Sequence, residues 1–174
     1  MIGEIVIRAL VVLATLTVSA CAQRASAPAD DTSSPDALEG AWRSQIRFEG
    51  GALAQLKDLE FMFVFNQGGT LTESSNYDAA PPVPPAYGVW KGSGSRHFEA
   101  KYVFYLTAAP KKVEELTGGG GWNPAGLGVF KERIVLSQDA QTYTSTIEYS
   151  PFDSQGKPSE GVSRAEGKGR RIAF

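Results

Sequence analysis

From Trp42 to Ile172 apolar side chains recur at every second position, and that spacing constrains the fold more than any other feature of the chain. Trp42, Ile46 and Phe48 alternate with polar neighbours, and Leu59, Phe61, Phe63 and Phe65 share one face of the next run. Phe98, Ala100, Tyr102, Phe104 and Leu106 repeat the pattern, as do Gly128, Phe130, Glu132, Ile134 and Leu136. Tyr143, Ile147 and Tyr149 share the face of a later run. A helix covering a core would space its apolar residues three or four apart, whereas a strand sends successive side chains to opposite faces.

Between these runs lie turn signals. Gln67–Thr70, Gly92–Ser95, Ser137–Gln141 and Asp153–Pro158 are all rich in Gly, Ser, Asp, Asn or Pro. Thr70–Ser75, Tyr87–Lys91 and Gly161–Ile172 complete a set of about eight strands, the mark of an all-β sandwich or barrel. Gly92-Ser93-Gly94-Ser95 reads as a β-turn. One segment departs from the pattern. Residues 109–117, APKKVEELT, place a proline near a first helical position, follow it with good helix formers and end at Gly118, so one short helix is expected there.

The N-terminus has a different character. Residues 5–20 form an apolar run interrupted by Arg8, too short for a membrane span of about 20 residues and ending in small residues like a secretory signal. Cys21, the only cysteine of the chain, follows at once. Val18-Ser19-Ala20-Cys21 resembles the lipobox of bacterial lipoproteins. That resemblance implies removal of residues 1–20 as a signal peptide, a diacylglycerol on the Cys21 sulfur and a membrane held through that lipid. Ala22, where an Asp would imply the inner membrane, points to the periplasmic face of the outer membrane. Several acyl chains together give stable anchoring where one does not. Residues 21–37 are small, polar and proline-containing and cannot offset the entropy of ordering, so they read as a flexible tether. The folded domain then runs over 38–174.

Composition narrows the chemistry. The full chain carries a net charge of -2, and Glu4 and Arg8 of the signal cancel, so the mature chain carries the same. With no basic stripe, nucleic acid is not an expected partner. With Cys21 lipidated, no thiol remains for a disulfide or a thiolate metal site. His97 is the only histidine, which excludes a two-histidine metal site, and no G-x-S-x-G is present. Glu99 shares a strand face with His97 and reads as a solvated partner. No catalytic residue, metal or cofactor is expected. Gly118–Gly126, GGGGWNPAG, lacks the lysine and leading strand of a phosphate loop and reads as a loop anchored by Trp122. Ala79–Gly88 holds four prolines in five positions and reads as a rigid crossing loop.

Gly40-Ala41-Trp42 on the first strand and Arg170-Arg171 on the last resemble the lipocalin-type, or calycin, barrel. A second Gly-x-Trp stands at Gly88-Val89-Trp90. In that family the tryptophan plugs the closed end and an arginine lies over its ring, here Trp42 and Arg171. The resemblance implies a single antiparallel up-and-down β-barrel of about eight strands, whose interior holds packed side chains or one small ligand. The many inward aromatics are either core or cavity wall. As cavity wall, Phe61, Phe63, Tyr102, Phe104 and Tyr143 would contact an apolar or lipid-like ligand, with Trp122 at the rim. Asp58, Glu60, Arg133 and Arg164 should face solvent. Ligand binding is the function expected. An isomerase or cyclase, which would need an ionisable group inside the barrel, and a filled-barrel interaction module in the envelope are the alternatives.

Overall fold

The computed structural model describes residues 34–77, 84–112, 114–115, 118, 121–159 and 161–174. The chain forms β1 (Gly40–Phe48), β2 (Glu60–Phe65), β3 (Thr70–Ser75), β4 (Ala86–Gly94), β5 (His97–Ala108), β6 (Asn123–Leu136), β7 (Thr142–Phe152) and β8 (Ser163–Arg171). Each strand pairs antiparallel with its sequence neighbour, and β1 pairs with β8 to close the barrel. This is the all-β, up-and-down architecture expected from the alternation and the Gly-x-Trp motif. Closure removes the open edges that a sheet would otherwise expose to pairing with other chains.

The inward set is mainly the alternating apolar set, with Trp42, Phe63, Phe65, Tyr102, Ile134 and Ile147 among the most deeply buried side chains. Strand β8 is the exception in size. Its inward positions are Ala165, Gly167 and Gly169, and a methyl group on Gly169 would stand 2.1 Å from the Tyr143 ring. Small residues on one wall give room for large rings from the next.

The two ends differ. At one end the chain enters through a 3-10 turn, Pro35–Leu38, and strands join by the tight turns after β2, β4 and β6. Trp42 is fully buried there, and its Nε1–H donates to the Leu38 carbonyl at 2.9 Å. The Arg171 guanidinium lies over the Trp42 ring, 4.3 Å from its centroid, and donates to the carbonyls of Ala37, Glu39 and Ala140. Trp90 works at the same end. Its indole N–H reaches the carbonyls of Asn66 and Thr70 at 3.1 and 3.0 Å and pins the turn between β2 and β3. The opposite end carries the longer connections after β1, β3, β5 and β7, including a second 3-10 turn, Ala52–Gln55. We call the first the plugged end and the second the mouth.

Three local expectations change. Gly92 and Gly94 belong to β4 rather than to a turn, because they pair with Phe98 and His97 across a bulge, and the chain reverses at Ser95 and Arg96. The second half of the Gly118–Gly126 segment is strand, since Asn123 and Pro124 already pair with Ala108 and Thr107. Of the helix expected over 109–117, Glu114 and Glu115 are helical and the Gly118 N–H bonds to the Glu114 carbonyl, while Pro110 lies outside it. Residues 113, 116 and 117 fall outside the described residues, as do Cys21, the rest of residues 1–33, residues 79–83 of the proline segment and residues 119–120 of the glycine segment.

Candidate ligand site at the barrel mouth

A cavity of about 140 Å³ opens at the mouth. Phe61, Phe104, Phe130 and Tyr149 form its inner wall, and Leu53 and Leu56 from the second 3-10 turn flank it. The arrangement follows from register. Phe61 starts β2, while Phe104 and Tyr149 fall late in β5 and β7, so antiparallel order brings them to one end of the barrel. Phe130 lies at the centre of the aromatic group, with ring centroids 4.9 Å from Tyr149, 5.0 Å from Tyr102, 5.5 Å from Phe104 and 5.6 Å from Phe61. Offset and edge contacts at such distances add to the burial of each ring.

Of the residues singled out in the sequence, Phe61 and Phe104 line this cavity. Phe63, Tyr102 and Tyr143 are buried in the interior but are not among its lining residues. Tyr143 packs 5.1 Å from Trp42 toward the plugged end. Trp122 is half-buried just before β6 and does not line the cavity. Gly40, Trp42 and Arg171 stand together at the plugged end. His97 is exposed with Nδ1 2.6 Å from the Ser95 carbonyl, and Glu99 pairs with Lys91 at 3.4 Å rather than with His97. Asp58, Arg133 and Arg164 are exposed, and Glu60 is half-buried beside Arg43, which it meets at 2.7 Å.

Two carboxyl groups point inward. Glu132 is 1 % exposed and accepts a hydrogen bond from the Tyr102 hydroxyl at 2.9 Å. Burial pushes its pKa up to about 7, and the hydroxyls of Ser145 and Tyr102 offset part of the rise, although only Tyr102 has hydrogen-bond geometry. Glu73 is 5 % exposed and lines the cavity, and its Oε1 is buried with no hydrogen-bond partner. Burial, and then the charge of Glu132, push its pKa up to about 8. The same environment raises Tyr102 and Tyr143 well above the usual phenol range, so both stay neutral. Deeper in, Ser44 Oγ, Ser145 Oγ and Tyr143 Oη are likewise buried without good hydrogen-bond geometry. A buried carboxyl is neutralised when nothing compensates its charge, and that is what the raised values express.

Both glutamates escaped the sequence reading as site residues, though the signal was present. Glu132 falls in phase with Phe130 and Ile134, and Glu73 in phase with Leu71. In a period-two run a carboxylate at an inward position is the informative exception.

A larger depression, about 680 Å³, lies on the outer wall of β4 to β8. Its lining combines outward Lys, Arg and Glu side chains of both signs, such as Lys101, Lys131, Arg133 and Glu148, with buried Trp90, Glu132 and Ile147. The mouth cavity is walled instead by aromatic and leucine side chains around Glu73. Among the described residues no cluster of three His, Cys, Asp or Glu is placed to hold a metal ion.

These features define a closed eight-stranded antiparallel barrel with one plugged end and a small apolar chamber at the other, an architecture consistent with a lipocalin-like fold. The chain matches no family model, no curated protein and no solved structure.

Proposed function

We propose that this chain is a lipid-anchored envelope protein that takes a small apolar molecule into the mouth of its barrel. The observation that carries the reading is the ring-sized cavity lined by Phe61, Phe104, Phe130 and Tyr149. An apolar cavity of about 150 Å³ in a protein core is large enough for benzene. Each buried square ångström of apolar surface contributes about 25 cal/mol, so a ligand of this size binds weakly unless a polar group adds to it. The anchor rests on the Val18–Cys21 sequence: Cys21 carries the lipid, the tether holds the barrel off the bilayer, and the periplasmic face of the outer membrane is the location.

Native mass spectrometry on the full chain, released from lipid nanodiscs, tests the binding reading. A stoichiometric adduct lost on denaturation supports it and gives the ligand's mass. A clean mass that does not shift on adding aromatic or alkyl probes moves the reading to the filled-barrel interaction module. Labelling with a fatty-acid analogue tests the anchor, with Cys21→Ser expected to abolish incorporation.

A second reading, a barrel isomerase or cyclase, is favoured by one observation: Glu73 and Glu132 are both interior carboxyls that titrate near neutral pH. Recovery of a rearranged form of the adduct from wild type, but not from Glu73→Gln, would select it.

A further inference from the structure

The interior of the barrel is acidic and aromatic, with no buried lysine or arginine among the described residues. Among the described residues its buried polar or charged side chains are Ser44, Glu73, Glu132 and Ser145, joined by the phenols of Tyr102 and Tyr143. No buried lysine or arginine among the described residues stands opposite the carboxyls. Glu132 has the Tyr102 hydroxyl; Glu73, on the cavity wall, has an Oε1 without a donor. Half of the lining residues are aromatic, Phe48, Phe61, Tyr77, Phe104, Phe130 and Tyr149, and the face of such a ring carries negative quadrupole charge. Carboxylate and rings together attract a cation and repel an anion.

On the reading that the mouth cavity binds a small molecule, we propose that this molecule is a protonated amine on a ring-sized apolar group. Its ammonium N–H donates to Glu73 Oε1, and its apolar part lies against Phe61, Phe104 and Phe130. The cavity volume of about 140 Å³ limits the apolar part to one ring or an alkyl group of similar size. Once Glu73 is ionised, the carboxylate of a fatty acid would meet it with the wrong sign. The lipid-like ligand is thereby narrowed to a cationic one.

The test uses the full chain in nanodiscs, with empty nanodiscs subtracted, and four probes sharing a phenyl ring: phenethylamine, 2-phenylethanol, phenylacetate and ethylbenzene. Titration calorimetry at pH 8.5 should rank phenethylamine about tenfold or more above 2-phenylethanol, as expected for a charge-assisted hydrogen bond, with phenylacetate showing no binding. Glu73→Gln should remove that preference, bringing the amine down to the affinity of the alcohol. Equal affinity for the amine and the alcohol, stronger binding of phenylacetate, or an amine preference that survives Glu73→Gln would overturn the inference and leave the cavity reading standing. Failure of all four probes, ethylbenzene included, would overturn both. If Glu73→Gln does not fold, the head-group ranking of wild type alone decides.

Discussion

Gly40 carries a φ of +116°, and a methyl group placed on it would stand 2.8 Å from Arg171 Nη1. Two separate demands thus meet in one residue: a backbone conformation that side chains disfavour, and space for the guanidinium that closes the barrel. Gly40→Ala should destabilise the fold by about 2 kcal/mol, read as a lower denaturant midpoint at unchanged slope. Arg171 is the complementary case. Its cation–π contact with Trp42 contributes about 0.5–2 kcal/mol, but it also satisfies three backbone carbonyls, two from the entry to β1 and one from the turn after β6. Arg171→Lys keeps the charge yet cannot reach three acceptors from one ammonium, so it should cost about 2 kcal/mol despite being conservative in sign. A midpoint unchanged by Arg171→Lys would mean that charge over the indole, not the hydrogen-bond fork, holds the plug. Gly40, Trp42 and Arg171 could be picked out of the sequence because their chemistry is local and directional. Glu73 is in phase with Leu71, a weaker signal, because its significance depends on which strands surround it.

At the scale of the element, β8 shows how size is distributed around a closed wall. A methyl on Gly169 meets the Tyr143 ring at 2.1 Å, and one on Gly167 meets Ser145 Oγ at 2.3 Å. Gly161, in the connection before β8, has nothing within 4 Å. Gly169→Ala should therefore cost about 2 kcal/mol or more through overpacking, while Gly161→Ala stays within about 0.5 kcal/mol of wild type; paired denaturant titrations check the contrast. The strands were legible because inward and outward positions alternate in nearly every run. Their ends were less so. Gly92 and Gly94 look like a turn in isolation, but pairing with β5 supplies hydrogen bonds that continue the strand through them. Pro124 similarly sits inside β6, beside a register shift between Leu106 and Thr107, where the regular pairing is already interrupted. Period two alone also leaves a sandwich and a barrel equally open. The β1–β8 pairing that decides between them joins residues from opposite ends of the domain, which no local pattern encodes.

For the whole molecule, the interior carboxyls couple folding to pH. Unfolded, Glu73 and Glu132 would titrate near 4.5; folded, they titrate near 8 and 7, beside Tyr102 and Tyr143, which stay neutral throughout. A folded pKa above the unfolded one means that the native state binds more protons between these values. Their contribution to stability is thus fully present below about pH 4.5 and is lost as pH rises through 7 and 8. This is the reverse of a salt-bridged surface carboxylate, whose contribution is lost in acid. Between pH 5 and pH 8.5 the melting temperature of the full chain should fall, by an amount on the order of 10 °C. Glu73→Gln and Glu132→Gln should each flatten part of that slope, because a neutral amide fits the same space without a charge to desolvate. The two variants should differ at neutral pH. Glu132→Gln alters the hydrogen bond of the Tyr102 hydroxyl, whereas Glu73→Gln replaces a carboxyl whose Oε1 has no partner. Glu73→Gln should therefore be the more stable protein at pH 8, and a melting curve that ranks the two the other way would place the uncompensated charge on Glu132 instead. Excess phenethylamine should raise the wild-type melting temperature at pH 8 more than that of Glu73→Gln, since a bound cation lets Glu73 ionise inside the barrel at little cost.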